Sequence, residues 1–310
     1  MKPLTLRVAA LLLGATLAAP ALAQHAKVLA DCEKKLNYAP TSGQSGKDVV
    51  WVPTPDDLVT LMLKTAKVTA NDYVIDLGAG DGKIAIAAAK QFGAKSLGIE
   101  YNPQMVKLAE CVVKAQGVDG RTKVIEGDIF KEDFSKADVL TMYLLPELNL
   151  CVRHRVLAMR PGVRVVAHQF NMGDWEGDEV LDFEGRTAYL WIVPARVGGT
   201  WSFKEADNAV APFTVTLSQN FQKVGGEVAM GKSRQPLMGA SLKGEDLRFT
   251  FTDDKGLVRS FHGKVSAKGI TGQLRTASSA DASVTGTLQG ALKPAPWGDM
   301  LDRCGRFYGK

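Results

Sequence analysis

Three acidic residues follow three successive apolar runs, and a glycine-rich turn accompanies the first. The first run reads Val74-Ile75-Asp76-Leu77-Gly78-Ala79-Gly80-Asp81-Gly82-Lys83. Glycines at Gly78, Gly80 and Gly82 let the backbone bend tightly and approach a ligand without a Cβ in the way. In dinucleotide sites the spacing is GxGxxG; here the third glycine comes one position early and Lys83 follows. Asp76 would sit badly beside a pyrophosphate and well beside a cationic amino acid group. Glu100 stands 24 residues further on, and its two oxygens suit the paired hydroxyls of a ribose. Asp128, in Glu126-Gly127-Asp128-Ile129-Phe130, suits an adenine amino group, with Ile129 against the ring. One such acid alone reads equally as a helix N-cap. Together with the glycine turn, the three describe a site for a nucleoside that lacks phosphates and carries positive charge.

These residues need a scaffold that brings strand ends together. Tyr73–Leu77, Ser96–Glu100, Lys123–Glu126, Val139–Leu144 and Arg164–Phe170 read as strands, and Tyr189–Val193 as a later one. Amphipathic stretches at Lys83–Phe92 and Pro103–Gln116 alternate with the first of them. This alternation implies βαβ units and a mostly parallel sheet covered on both faces, with ligands at the strands' carboxyl ends. The pattern changes near Gly198-Gly199. Short alternating runs at Phe213–Leu217, Val228–Met230, Leu247–Phe251, Phe261–Val265 and Ile270–Leu274 are separated by glycine-containing turns. They predict an antiparallel meander, either an open sheet or a small barrel. The expected organisation is a leader over 1–23, an arm over 24–48, an α/β Rossmann-like domain over 49–197 and a smaller antiparallel all-β domain over 198–310.

The segment Asp76–Gly82 resembles motif I of class I S-adenosylmethionine (SAM) methyltransferases, and Glu100 and Asp128 match that superfamily's ribose and adenine acids. The resemblance implies SAM as cofactor, held by Asp76, Gly78, Gly80, Asp81, Gly82, Glu100, Asp128 and Ile129. A narrower likeness rests on Val52-Pro53-Thr54-Pro55, Gly98-Ile99-Glu100-Tyr101-Asn102-Pro103 and Tyr143-Leu144-Leu145-Pro146. These segments are similar to bacterial relatives of the mitochondrial lysine methyltransferases that modify the ATP synthase c subunit and the adenine nucleotide translocase. That likeness adds Thr54 to the cofactor residues and implies methyl transfer to a protein lysine. Tyr143 is the first candidate for the acceptor wall, with a packing aromatic as the alternative. His168 is a second candidate, although a lone strand histidine is more often a satisfied core residue. Asn149 and Asn171 are candidates for the acceptor side, and Met172-Gly173-Asp174-Trp175 reads as a turn able to close over the site. The competing reading is a non-catalytic exported module that keeps the fold and binds SAM, a nucleoside or a protein.

The remaining features bound the setting. A short basic start, an apolar stretch over Val8–Ala23 and small residues at Ala21 and Ala23 read as a secretory signal cut after Ala23, hence a periplasmic protein. No later stretch is apolar and long enough to span a bilayer. The formal net charge is +5 without a long basic run, so nucleic acid is not indicated. From Thr200 on there are 15 Lys and Arg against 10 Asp and Glu, read as a solvated face. The four cysteines show no metal-ligand spacing. Cys111 and Cys151, among apolar residues, read as buried thiols, and Cys32 and Cys304 as the better disulfide candidates. The sequence is silent on oligomeric state.

Overall fold

The computed structural model describes residues 18–205, 211–275, 281–294 and 304–308. Residues 1–17 of the expected leader lie outside the described residues, and helix α1 (Ala18–Leu36) passes through the expected cut. Helix α2 (Asp56–Thr65) leads into β1 (Tyr73–Leu77), followed by α3 (Lys83–Phe92), β2 (Lys95–Glu100), α4 (Pro103–Ala115) and β3 (Thr122–Glu126). Then come β4 (Val139–Met142), α5 (Pro146–Leu157), β5 (Arg164–His168), β6 (Glu179–Phe183) and β7 (Arg186–Ile192). They form a seven-stranded sheet of order β3-β2-β1-β4-β5-β7-β6. Strands β1 to β5 are parallel, and β7 pairs antiparallel with both β5 and β6. The order reverses between β1 and β4, which opens a crevice at the carboxyl end of β1.

Local chemistry explains these elements. Every residue of β4 is buried, as a parallel strand covered on both faces requires. Alanines 85, 88 and 89 let α3 lie close on the sheet. Asn102 caps α4 by accepting from the Gln104 and Met105 amides, and Pro103 opens that helix. Strand β7 overlaps the late strand read over Tyr189–Val193, whereas the sequence pattern marks neither β6 nor the β6–β7 hairpin. Its turn, Glu184-Gly185, has positive φ at both residues, but β6 is an edge strand whose residues are mostly exposed, so its apolar alternation is faint.

The second sheet contains nine antiparallel strands: β8 (Gly199–Glu205), β9 (Phe213–Asn220), β10 (Lys223–Met230), β11 (Ser233–Pro236), β12 (Met238–Lys243), β13 (Asp246–Thr252), β14 (Val258–Ser266), β15 (Gly269–Arg275) and β16 (Ala282–Gln289). Strand β16 returns to pair with β8, and the Leu237 amide donates to the Gly226 carbonyl, so the sheet curls towards a barrel. Phe203, Phe213, Phe249, Phe251 and Phe261 fill its inside. Phe221 lies instead in the core of the α/β sheet, stacked on Trp175 with centroids 5.8 Å apart. The Trp175 indole donates to Gln222, and the Ala195 amide donates to Gly244. The turn Met172–Trp175 therefore belongs to this junction and does not close over the crevice: Met172 and Trp175 are buried there.

The cysteine expectation is corrected. Cys32 is bonded to Cys111 and Cys151 to Cys304, so neither Cys111 nor Cys151 is a thiol. Helix α1 lies along α4 and buries Cys32 with Val106, Leu108 and Val112, which places it over Cys111. A short last helix, α6 (Gly305–Tyr308), returns to the first sheet and sets Cys304 over α5. Each pair joins elements far apart in sequence, so polar surroundings alone could not identify partners.

Candidate active site

A cleft opens where β1, β2, β3 and β4 end. Its walls include Thr54, Asp76, Gly78, Gly80, Asp81, Glu100, Asp128, Ile129 and Tyr143. Of the cofactor residues and the two catalytic candidates, Tyr143 and His168, the structure thus gathers all but two. Gly82 is one exception: a Cβ there would meet Ala109 at 3.2 Å and Val124 at 3.4 Å, so this glycine allows α3 to pack against α4 and β3. His168 is the other and lies behind Tyr143.

Asp76 is buried at the end of β1, where it pairs in register with Gly98 and Thr141. Its Oδ1 accepts from the Thr141 hydroxyl at 2.7 Å. Burial pushes the carboxyl up to about 7, against the pull of that hydrogen bond and with help from Asp81 and Glu100. Asp81 is buried too, and its carboxyl is likewise raised by burial; its Oδ2 has no hydrogen-bond partner. Two desolvated acids thus line one end of the cleft, a costly arrangement that a bound cation would relieve.

Glu100 holds the glycine loop. Its Oε2 accepts from the Gly80 amide at 2.8 Å and its Oε1 from the Asn102 amide at 2.9 Å. Each oxygen keeps a second lone pair for a ligand hydroxyl. Gly78 and Gly80 have φ of +75° and +57°, and an added Cβ would meet Leu144 at 2.9 Å or the Trp51 indole at 2.5 Å. Asp128 Oδ1 accepts from the Phe130 amide at 3.0 Å, while its Oδ2 faces Lys47 Nζ at 3.0 Å. Ile129 stands beside it on the cleft wall.

The arm expected over 24–48 is more structured than a linker. After α1 it makes a tight turn, with the Trp51 amide donating to Gln44 and the Gly46 amide to Val49, and residues 44–54 form one wall of the cleft. Lys47, Trp51 and Tyr101 were not found from the sequence. Lys47 lies in no spacing that marks a ligand site, Tyr101 belongs to the Gly98–Pro103 segment without a ligand signal of its own, and Trp51 carries no signal beyond being an aromatic next to Val52-Pro53-Thr54-Pro55.

On the opposite side, the Tyr143 ring lies on the His168 ring with centroids 3.9 Å apart, and Phe170 stacks beyond at 6.4 Å. The Thr54 hydroxyl is 3.0 Å from His168 Nδ1, and the Thr54 carbonyl accepts from Lys83 Nζ. Burial, assisted by Arg186, lowers the His168 pKa to about 4, so the ring is neutral near pH 7. Asn149 donates to the carbonyls of Phe170 and Asn171, and Asn171 accepts from the Gly173 amide. Both shape this turn and neither reaches the cleft.

The donor set fits a positively charged nucleoside: desolvated acids for a cation, a two-oxygen acceptor with free lone pairs, and a third acid beside an aliphatic wall. Among the described residues there is no group of three His, Cys, Asp or Glu placed to hold a metal ion, and no helix long and apolar enough to cross a membrane.

Residues 76–179 match the family described as the ANTKMT methyltransferase domain. A protein-lysine N-methyltransferase of Saccharolobus islandicus (strain REY15A) is 39% identical over 151 residues, which are 47% of this chain and 94% of that protein. The human lysine N-methyltransferase of the ATP synthase c subunit is 32% identical over 108 residues, 34% of this chain and 46% of that one. The chain therefore spans about half the length of the human relative. Among solved structures, an RNA methyltransferase from Salinibacter ruber in complex with S-adenosyl-L-homocysteine is 43% identical, covering 47% of this chain and 96% of that one, with a TM-score of 0.47.

Proposed function

The chain belongs to the SAM-dependent methyltransferases, and from that premise we propose that it transfers methyl groups to lysine side chains of proteins. The observation that carries the reading is the convergence of Asp76, Glu100 and Asp128 on one cleft whose other wall is aromatic. In this assignment Asp76 and Asp81 face the amino acid end of the cofactor. Glu100 holds the ribose, and Asp128 with Ile129 takes the adenine. When bound, the cofactor supplies an electrophilic methyl group on a sulfonium.

The chain's own residues supply alignment and a dry acceptor path. Tyr143 is half-buried on the cleft wall and is kept flat by His168, which is itself held by Thr54. An aromatic face of this kind attracts an ammonium and guides the lysine stem. The incoming amine must lose its proton before it attacks. Burial among Tyr143, Leu144 and Leu148 favours the neutral amine, and the nearby positive charge of Arg186 acts in the same direction. Neutral His168 with a pKa near 4 is too weak a base to hold that proton near pH 7, so its role here is to support Tyr143.

We further propose export to the periplasm. The leader-like start supports it, and so do two disulfides, which persist in oxidising compartments. Export is tested by cell fractionation with N-terminal sequencing of the protein recovered, and recovery from the cytoplasm alone with residues 1–23 retained would contradict it. The acceptor is tested separately. Purified protein is incubated with methyl-labelled SAM and an envelope extract, and the products are separated and hydrolysed. Label in methyllysine of one or a few proteins is expected. Label confined to RNA or small molecules would reassign the acceptor, and no label despite cofactor binding would favour a non-catalytic binding module.

A further inference from the structure

The segment that carries Asp128 and Ile129 is buttressed by the far end of the chain. Phe130, two residues after Asp128, is buried and donates its amide to Asp128 Oδ1. Its ring stacks on Phe307, with centroids 4.9 Å apart and planes at 21°. Tyr308 meets the same ring edge-on at 5.3 Å, and the Tyr308 hydroxyl donates to the Cys151 carbonyl at 2.7 Å. Arg306 pairs with Glu147 at 2.6 Å. The Cys151–Cys304 bond ties this segment to α5. From α5 itself, Arg155 donates to the Ile129 and Glu132 carbonyls. The Asp128–Glu132 turn is thus gripped from one side by Arg155 and from another by Phe307.

We propose that Phe307 is a positioning residue for the adenine end of the cofactor site. It holds Phe130, and through it the Asp128 carboxylate, in the orientation that receives an exocyclic amino group, and the Cys151–Cys304 bond keeps it there. The proposal rests on the assignment of Asp128 to adenine. Its physical basis is the mechanical chain from Cys304 to Phe307 to Phe130 to Asp128. Rings stacked at this distance attract one another beyond their burial, which favours the orientation of Phe130 seen here. Without Phe307, Phe130 would lose its stacking partner, and the turn would sample orientations in which Asp128 points away. The end of the second half of the chain thereby completes a site built by the first half.

The test uses the full mature chain and two probes: S-adenosylhomocysteine and its inosine analogue, in which a carbonyl replaces the adenine amino group. Wild-type protein is expected to prefer the adenosine compound about tenfold, the scale of one well-made hydrogen bond. Phe307→Ala should weaken binding of that compound about five- to twentyfold and cut the preference to below about threefold, while Phe307→Tyr restores most of both. Cys304→Ser should move both readouts in the same direction, and it decides the matter if the alanine variant does not fold. A folded Phe307→Ala protein with wild-type affinity and preference would overturn the proposal. So would equal losses for the two probes, because a general scaffold role would not discriminate between them. Absence of preference in the wild-type protein would instead remove the Asp128 assignment and the proposal with it.

Discussion

Lys47 Nζ lies 3.0 Å from Asp128 Oδ2 and 5.1 Å from the centre of the Tyr101 ring, so the N-terminal arm places an ammonium on the acid assigned to adenine. Asp48 is its other acidic neighbour, at 3.3 Å. An adenine amino group arriving at Asp128 competes for that oxygen. Lys47→Gln is therefore expected to strengthen S-adenosylhomocysteine binding about two- to fivefold at low salt, in keeping with the ~0.2–1 kcal/mol of a partly exposed pair. Titrations at two ionic strengths check it; weaker binding would mean that Lys47 is part of the occupied site.

Gly80 faces the same arm. Its φ of +57° disfavours a side chain, and the Trp51 indole stands 2.5 Å from where a Cβ would be. Gly80→Ala is expected to cost about 1–2 kcal/mol from the left-handed backbone, with a steric cost added. Trp51→Ala in the same chain should return the steric part and leave the backbone part. Urea denaturation of the two single variants and the double variant measures the coupling; simple additivity would contradict the contact.

Asp76 makes both stability and binding depend on pH. Its folded carboxyl titrates near 7 against an ordinary value of 3.8. Between those values the unfolded chain releases the proton while the folded chain retains it, so this group's contribution to stability falls as pH rises and is lowest above about 7. The cost is on the order of 4 kcal/mol for a shift of this size. Asp76→Asn should therefore raise the melting temperature of the ligand-free protein more at pH 8 than at pH 4. A cation favours the ionised carboxylate, so wild-type affinity for SAM should rise with pH up to about 7, and the variant's profile should be flatter. Parallel profiles would contradict the assignment.

His168 acts in the opposite direction. Its folded pKa of about 4 lies below the ordinary 6.5. Between these values the unfolded chain binds the proton and the folded chain does not, so stability is lost as pH falls from about 6.5 towards 4. His168→Gln should flatten the acid limb of a thermal stability profile measured from pH 7 to pH 4. An unchanged acid limb would show that the ring is not held neutral behind Tyr143.

What could be read from the sequence follows from the range of the interactions. Gly78, Gly80, Glu100 and Asp128 were legible because a strand-end position and a local spacing define their chemistry. The α/β sheet and the antiparallel sheet were legible because period-2 and helical patterns are local as well. The sequence does not separate Gly82 from Gly78 and Gly80, because a glycine that admits a ligand and one that admits Ala109 look alike there. The arm over the cleft, the two disulfides and the Phe307–Phe130 stack join residues far apart in the chain. No periodicity encodes such pairs.

The most direct measurement is a calorimetric titration of S-adenosylhomocysteine into the wild-type protein and into Glu100→Ala. Glu100 accepts from both the Gly80 and Asn102 amides, so its loss removes the assigned ribose acceptor and loosens the glycine loop together. The account predicts saturable one-to-one binding to the wild-type protein and a loss of at least ~1–3 kcal/mol in the variant, the scale of a missing charged hydrogen bond. Equal affinity in the two proteins, with the fold intact, would contradict the placement of the cofactor in this cleft.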